Sequence, residues 1–344
     1  MPGRPAPPHT APTPEPGAEA RQRAPHDTGL GSMGRDNKGL NCIADGADAG
    51  CTLWDNLALH GAVLLFGLAG LFGKWLPLHP VLIVFGRVFV AALAFALWLH
   101  WGKGLAWRGL LPWRSQTHRG ALLLCGGLLA LHWVAFFQSI QVSTVSIGLL
   151  GYATASLFTA LLEPLLSRER FSMRTVLAAG VTLGGVSLIV PHWQLGDASL
   201  QGLAWGVAAG ASFAVLTLIN RRLRQNMDAV RLAYYQDATA ALVLLPFLTL
   251  LPMALSVREL GLLLVLGLLC TAFAHGLFAH ALGRVRAGTA VVTSTLEPVY
   301  GIALAWLLLE EQPAARTLAG GALILCAVAL VTLTPGKRAP PGPR

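Results

Sequence analysis

Ten apolar stretches, each close to the ~20 residues that cross a hydrocarbon core, leave this 344-residue chain few choices of fold. They run approximately over residues 56–75, 79–101, 119–139, 145–166, 173–192, 200–219, 232–251, 260–282, 288–309 and 316–334. An open sheet cannot satisfy its backbone in lipid, so all ten are expected to be helices. At 54% hydrophobic and 12% charged residues the chain has the composition of a polytopic membrane protein, which excludes a soluble globule. The glycine groups Gly67, Gly70, Gly73 and Gly202, Gly206, Gly210 suit close helix contacts. The first group is not a phosphate-binding loop, because Trp75 follows Lys74 where Ser or Thr is required.

Residues 1–54 are rich in Pro, Gly, Ala and charge and lack hydrophobic periodicity, so they read as a disordered tail. The tail is not a signal peptide, since the first apolar run starts only near Asn56 and is too long for a cleavable one. Met33 within it is a second candidate start. Cys42 and Cys51 lie in this tail, which charge places in a reducing compartment, against a disulfide. Cys125, Cys270 and Cys326 fall in apolar runs as small core fillers, and no cysteine spacing suits a metal.

The net charge of +9 is spread over short loops and tails, a pattern of topology rather than of nucleic-acid binding. Sixteen Lys and Arg follow the even-numbered runs or lie in the C-terminal tail, Lys103, Arg170, Arg222 and Lys337 among them. Only Lys74, Arg258 and Arg316 lie on the other side. Positive charge thus places both termini in the cytoplasm, and an even number of spans requires the same.

One run carries chemistry. Residues 288–311 read GTAVVTSTLEPVYGIALAWLLLEE, with Thr293, Ser294, Thr295, Glu297 and Pro298 near the middle. An acidic residue at a helix centre costs about 2.5–3.5 kcal/mol on insertion scales, so it faces a cavity or a partner. Proline beside it removes a backbone donor and opens the helix, as in transporter sites. The alternative is a glutamate satisfied by a neighbouring helix, with Pro298 only kinking the path.

Displacing the chain by 142 residues lays Phe136 on Phe278, Glu169 on Glu311 and Arg174-Thr175 on Arg316-Thr317, without a gap. Five helices per copy is odd, so the second copy enters from the opposite side and the repeats are inverted. The expected fold is therefore an all-α membrane protein of ten transmembrane helices in two inverted five-helix repeats, residues 55–193 and 197–335, with a short tail at 336–344.

The first copy, with Lys74, Pro80, Arg87 and LLSRERFSMRTVLAAGVTLGG, and the second, with STLEPVYGIALAWLLLEEQPAARTLAGGALIL, resemble the paired EamA repeats of the drug/metabolite transporter superfamily. The likeness covers about residues 56–334. Ser156 stands in the first copy where Pro298 stands in the second, and Glu163-Pro164 lies further along. The resemblance implies a ten-helix secondary carrier for small metabolites, often an exporter of amino acids or related compounds.

Within that frame Arg87 is about 12 Å deep at 1.5 Å rise per residue, too deep for easy snorkelling. It serves either as a counter-charge to a substrate carboxylate or to Glu297, or as a structural pair with backbone carbonyls. Matching Ala91-Ala92 to Ala240-Ala241 puts Gln236 where Arg87 sits in the other half. Tyr234, Tyr235 and Asp237 read as an aromatic belt near the cytoplasm. His132 beside Trp133, and His275, either meet substrate or protons or bond between helices.

The reading is a multi-pass secondary transporter of the bacterial inner membrane, an exporter of small polar metabolites such as amino acids by alternating access. Glu297, Arg87, Thr293 and Tyr300 are placed near the pathway, with Pro298, Gln236, His132 and His275 beside it. No cofactor, metal, nucleic acid or enzymatic centre is expected; the partners are a small-molecule substrate, the bilayer and a proton or other coupling ion. The rivals are an integral-membrane enzyme, which should cluster catalytic groups at one membrane face, and a transport-inactive scaffold or sensor.

Overall fold

The computed structural model describes residues 53–105, 119–167, 173–190, 194, 196–252, 254–282, 284–285 and 287–332. Every regular element among them is helical: α1 Leu53–Trp75, α2 Pro80–Leu97, α3 Arg119–Val142, α4 Val145–Ala153, α5 Ala155–Ser167, α6 Met173–Ile189, α7 Ala198–Leu223, α8 Ala229–Leu248, α9 Val257–Gly267, α10 Ala274–Leu282, α11 Ala287–Ser294, α12 Glu297–Leu309 and α13 Ala315–Thr332. A π-helical turn, Trp98–Gly102, extends α2, and another, Leu268–Phe273, joins α9 to α10. Counting α2 with its turn, α4 with α5, α9 with α10 and α11 with α12, the described helices form ten spans. Six are long and apolar enough to cross a membrane, while Met173–Ile189, Glu297–Leu309 and Ala315–Leu330 are shorter apolar helices. Residues 1–52 and 336–344, with Met33, Cys42 and Cys51, lie outside the described residues, as do Arg170 and Lys337 in the charge count, while Leu53 and Trp54, read from sequence as the end of the tail, are the first residues of α1.

Local chemistry sets the helix starts. Ser256 and Glu259 form a reciprocal capping box at α9. Asp197 accepts from Leu200 N at 3.0 Å and Thr144 from Ile147 N at 3.1 Å, so each satisfies an amide that has no intrahelical partner. Helix boundaries also recur 142 residues apart: Val145 and Ala287 open α4 and α11, Ser167 and Leu309 close α5 and α12, Met173 and Ala315 open α6 and α13.

The outer surface is apolar. Leu250, Leu307 and Leu183 are 79%, 75% and 68% exposed, and Trp101 and Trp306 stand outward with them. In water each such leucine would forgo about 1.5–3 kcal/mol of burial, so the surface is built for lipid. Inside, glycines let backbones meet. A Cβ on Gly67 of α1 would lie 2.8 Å from Gly301 N of α12 and 3.0 Å from Glu297 O. A Cβ on Gly151 of α4 would lie 2.9 Å from Gly206 Cα of α7. Where there is no hydrophobic drive between helices in lipid, such close approach supplies the packing energy.

These contacts generate a test. Gly67→Ala forces a methyl against backbone and is expected to destabilise the purified protein by about 1–3 kcal/mol, read as a lower midpoint of thermal unfolding. Gly127→Ala, with nothing within 4 Å of the added Cβ, should leave that midpoint unchanged.

Candidate functional site

The span formed by α11 and α12 is interrupted at Thr295–Leu296, where Leu296 N donates to Thr293 O at 3.0 Å and a new helix begins at Glu297. Pro298 sits in the first turn of α12, where a missing N–H costs nothing. Glu297 in that turn also meets the positive end of the helix dipole. The span of α4 and α5 is interrupted in the same way at Thr154, whose hydroxyl donates to Gly151 O at 2.6 Å.

The two interruptions line one cavity of about 370 Å³. Tyr152, Ala153, Ala155 and Ser156 come from one, Ser294, Thr295, Glu297 and Pro298 from the other. Phe213, Thr217, Phe278, Leu325 and Val328 complete walls that are largely apolar. Thr293 is 2% exposed and does not line the cavity.

Arg87 of α2 is fully buried. Its Nε donates to Thr271 Oγ1 at 2.7 Å, and that hydroxyl donates onward to Leu266 O at 2.8 Å inside the π-helical turn. The guanidinium lies over the Trp133 ring, Cζ 3.4 Å from the centroid, a cation–π contact that partly replaces lost hydration. Neither Nη is hydrogen-bonded, and Arg87 enters none of the ion pairs formed among the described residues. Asp237 and Glu297 are the carboxylates whose field reaches it.

His132 lies beside Trp133, its Nδ1 donating to Ala209 O at 3.0 Å because a carbonyl can only accept. Its Nε2 is buried and unpaired. The ring packs between Trp133, Tyr152 and Phe213, with centroids 4.6, 5.3 and 4.9 Å away. His275 Nδ1 donates to Thr271 O at 2.8 Å, which ties it to the same residue that holds Arg87.

The fold thus gathers Arg87, His132 and His275 with Trp133 and Thr271, and sets Glu297 and Pro298 on the cavity wall. Tyr300 and Gln236 go elsewhere. The Tyr300 hydroxyl pairs with His60 Nδ1 at 2.7 Å, across the contact of α1 with α12. Gln236, seven residues past the start of α8 as Arg87 is past the start of α2, donates to Asn220 Oδ1 on α7. The aromatic-belt reading fails for Tyr235 and Asp237, which are 2% and 6% exposed within the bundle rather than at an interface. Asp237 is the acid that the sequence reading missed, and the signal was its place more than two turns into α8. Thr271 and Tyr152 carried no such signal.

The end of the bundle away from this cavity is latched. Glu311 accepts from Val145 N at 2.9 Å, Ser146 N at 3.0 Å and Ser146 Oγ at 2.7 Å, so its carboxylate caps α4 together with the Thr144 hydroxyl. Glu310, left-handed at φ 54°, turns the chain after α12 to aim it there. Lys74 Nζ donates to Ser143 O at 2.7 Å, and Gln141 Nε2 to Leu78 O at 2.8 Å, at the same end.

Among the described residues, six helices long and apolar enough to cross a membrane, and two interrupted spans meeting at a cavity whose wall carries Glu297, define a multi-pass membrane protein. The chain belongs to the EamA-like transporter family, whose model matches residues 53–190 and 200–333, and so to the drug/metabolite transporter superfamily. It is 25% identical to an uncharacterized transporter of Archaeoglobus fulgidus over 74% of this chain and 88% of that one. A probable biotin transporter of Pseudomonas aeruginosa is 31% identical over 65% of this chain and 82% of its own. A pseudopaline exporter of the same species is 30% identical over 63% and 75%. A solved crystal structure superimposes with a TM-score of 0.56 at 20% identity, over 81% of this chain and 97% of that one, a likeness of fold.

The latch is open to test. Glu311→Gln keeps the shape but loses the charge, which is worth about 1–2 kcal/mol at a partly buried helix N-terminus, or about 5- to 30-fold in an equilibrium. Gln138→Cys, at the latched end, should then react several-fold faster with a membrane-impermeant maleimide than in the Glu311 parent, with the protein lacking Gln138→Cys as baseline.

Proposed function

We propose that the protein is a secondary transporter that exports small polar metabolites across the bacterial inner membrane by alternating access. The observation that carries this reading is Glu297, placed at a helix break on the wall of a cavity that two interrupted spans line. Ten membrane-crossing helices form two inverted five-helix repeats, residues 55–193 and 197–335, with both termini in the cytoplasm. The recurrence of helix boundaries at a spacing of 142 residues supports the repeat, and the charge asymmetry supports the orientation.

In this orientation the cavity occupies the cytoplasmic half, and the Glu311 latch closes the external end. Substrate enters from the cytoplasm beside Glu297, the latch opens as the cytoplasmic half closes, and substrate leaves outward. Glu297 carries a coupling proton or contacts substrate directly, and Arg87 supplies the opposite charge. The pseudopaline and biotin names of two relatives suit small-molecule cargo. Transport in place of catalysis also accords with the family and with the transporter and exporter names of the relatives.

Two measurements test this. Reporter fusions after Arg224 and after Lys337 should read cytoplasmic and one after Gly196 external; an external C-terminus would sink the arrangement. In liposomes, Glu297→Gln fixes the neutral state, so net transport driven by a pH gradient should fall about tenfold or more, a change of ~1.4 kcal/mol, while exchange of labelled substrate persists. Unaltered gradient response together with normal substrate affinity would remove Glu297 from the pathway.

A further inference from the structure

Arg87 is built to hold something that this chain does not supply. A buried cation normally has its charge answered by a carboxylate in contact or by a full set of acceptors. Here one donor of five is used, on Thr271 Oγ1, and both Nη groups are buried and unpaired. The rest of the side chain is fixed. Trp133 holds one face of the guanidinium, and Thr271 is itself anchored to Leu266 O, so the outer fork is presented in one orientation. A planar pair of N–H donors in that attitude matches a carboxylate, which accepts two parallel bonds.

The neighbours tell the kind of anion. Asp237 and Glu297 both act on Arg87 through their field, yet neither is in ion-pair contact with it. The single cation therefore faces two acids, and the second charge of a dianion would add negative charge where, among the described residues, no basic side chain besides Arg87 acts on either acid. A monoanion adds least. Tyr152 and Phe213 line the cavity, His132 packs on both and on Trp133, and Trp133 carries the guanidinium, so ring contacts connect the cavity wall to Arg87. The cavity walls beyond them are largely apolar. We infer that Arg87 is the anion-recognition residue of the transport site, and that the cargo is an organic monoanion whose carboxylate reaches the free Nη pair when the Tyr152–Phe213 layer moves aside. This rests on the transporter reading and adds to it a required charge on the substrate and a residue that selects it.

The probes are phenylacetate, its neutral isostere phenylacetamide, and phenyl phosphate, which carries close to two charges near neutral pH. Each is titrated against the full-length protein in nanodiscs, with the midpoint of thermal unfolding as readout, since a ligand that binds the folded state raises it. Phenylacetate should raise the midpoint, and phenylacetamide and phenyl phosphate should need at least tenfold higher concentration for the same rise. In Arg87→Gln the preference for phenylacetate over phenylacetamide should vanish. Arg87→Lys keeps the charge without the fork, so it covers the case in which the glutamine variant does not fold; there the preference should weaken at least tenfold. A wild-type protein that ignores phenylacetate, or binds it and its amide alike, overturns the inference, as does an Arg87→Lys or Arg87→Gln protein with the full preference. Preferential binding of phenyl phosphate overturns the monoanion assignment. The broader reading fails separately: carboxylate binding through Arg87 without any substrate exchange in liposomes would remove transport and leave the anion site standing.

Discussion

A hydrocarbon interior has no water to bond a stray carbonyl or amide, and that constraint governs this molecule more than any single contact. Continuous helix is the default answer, so each interruption has to be answered locally. At Thr154 the side-chain hydroxyl bonds the Gly151 carbonyl. At Thr295–Leu296 the Thr293 carbonyl takes the Leu296 amide, and proline follows in a turn that needs no donor. Both interruptions border the same cavity, so the places where the backbone is least able to satisfy itself are also the places where the interior opens.

The same constraint made much of the fold legible. Span number follows from apolar run length, and α12 starts at the glutamate–proline pair that the run displayed, although the same pair at Glu163-Pro164 lies inside α5 without breaking it. What stayed hidden depended on direction and partnership, which period and composition do not encode. Thr154 looks like any other threonine in an apolar run, so the break between α4 and α5 had no signature. Asp237 follows two tyrosines and was grouped with them, although its depth in α8 sets it apart. Tyr300 and Gln236 were placed correctly along their helices but face His60 and Asn220. Arg87 was legible by depth alone; its Trp133 and Thr271 supports come from helices distant in sequence.

Charge in the bundle is handled by spacing as much as by pairing. Arg87 is stabilised by a ring face and by two acids at a distance, an arrangement that keeps the guanidinium in place without consuming its outer donors. At the ends charges are in contact instead. Lys103 meets Asp228 at 2.9 Å with both side chains about half exposed, a pair worth at most about 1 kcal/mol. Asp55, wholly buried, has His280 and Arg284 each at 3.7 Å.

The crossing of Gly67 with Gly301 has a mechanical side. The two bare backbones set a close pivot distance, with Leu149 packed on Gly301 and the Tyr300–His60 bond beside it. Glu297 lies four residues from Gly301 and Glu311 ten, about 6 Å and about 15 Å along the chain at helical rise. A tilt of roughly 10° would carry Glu297 through about 1 Å but Glu311 through about 2.6 Å at those lever arms. On such a tilt the short arm would hold the acid near its post, while the long arm would travel far enough to part a hydrogen bond.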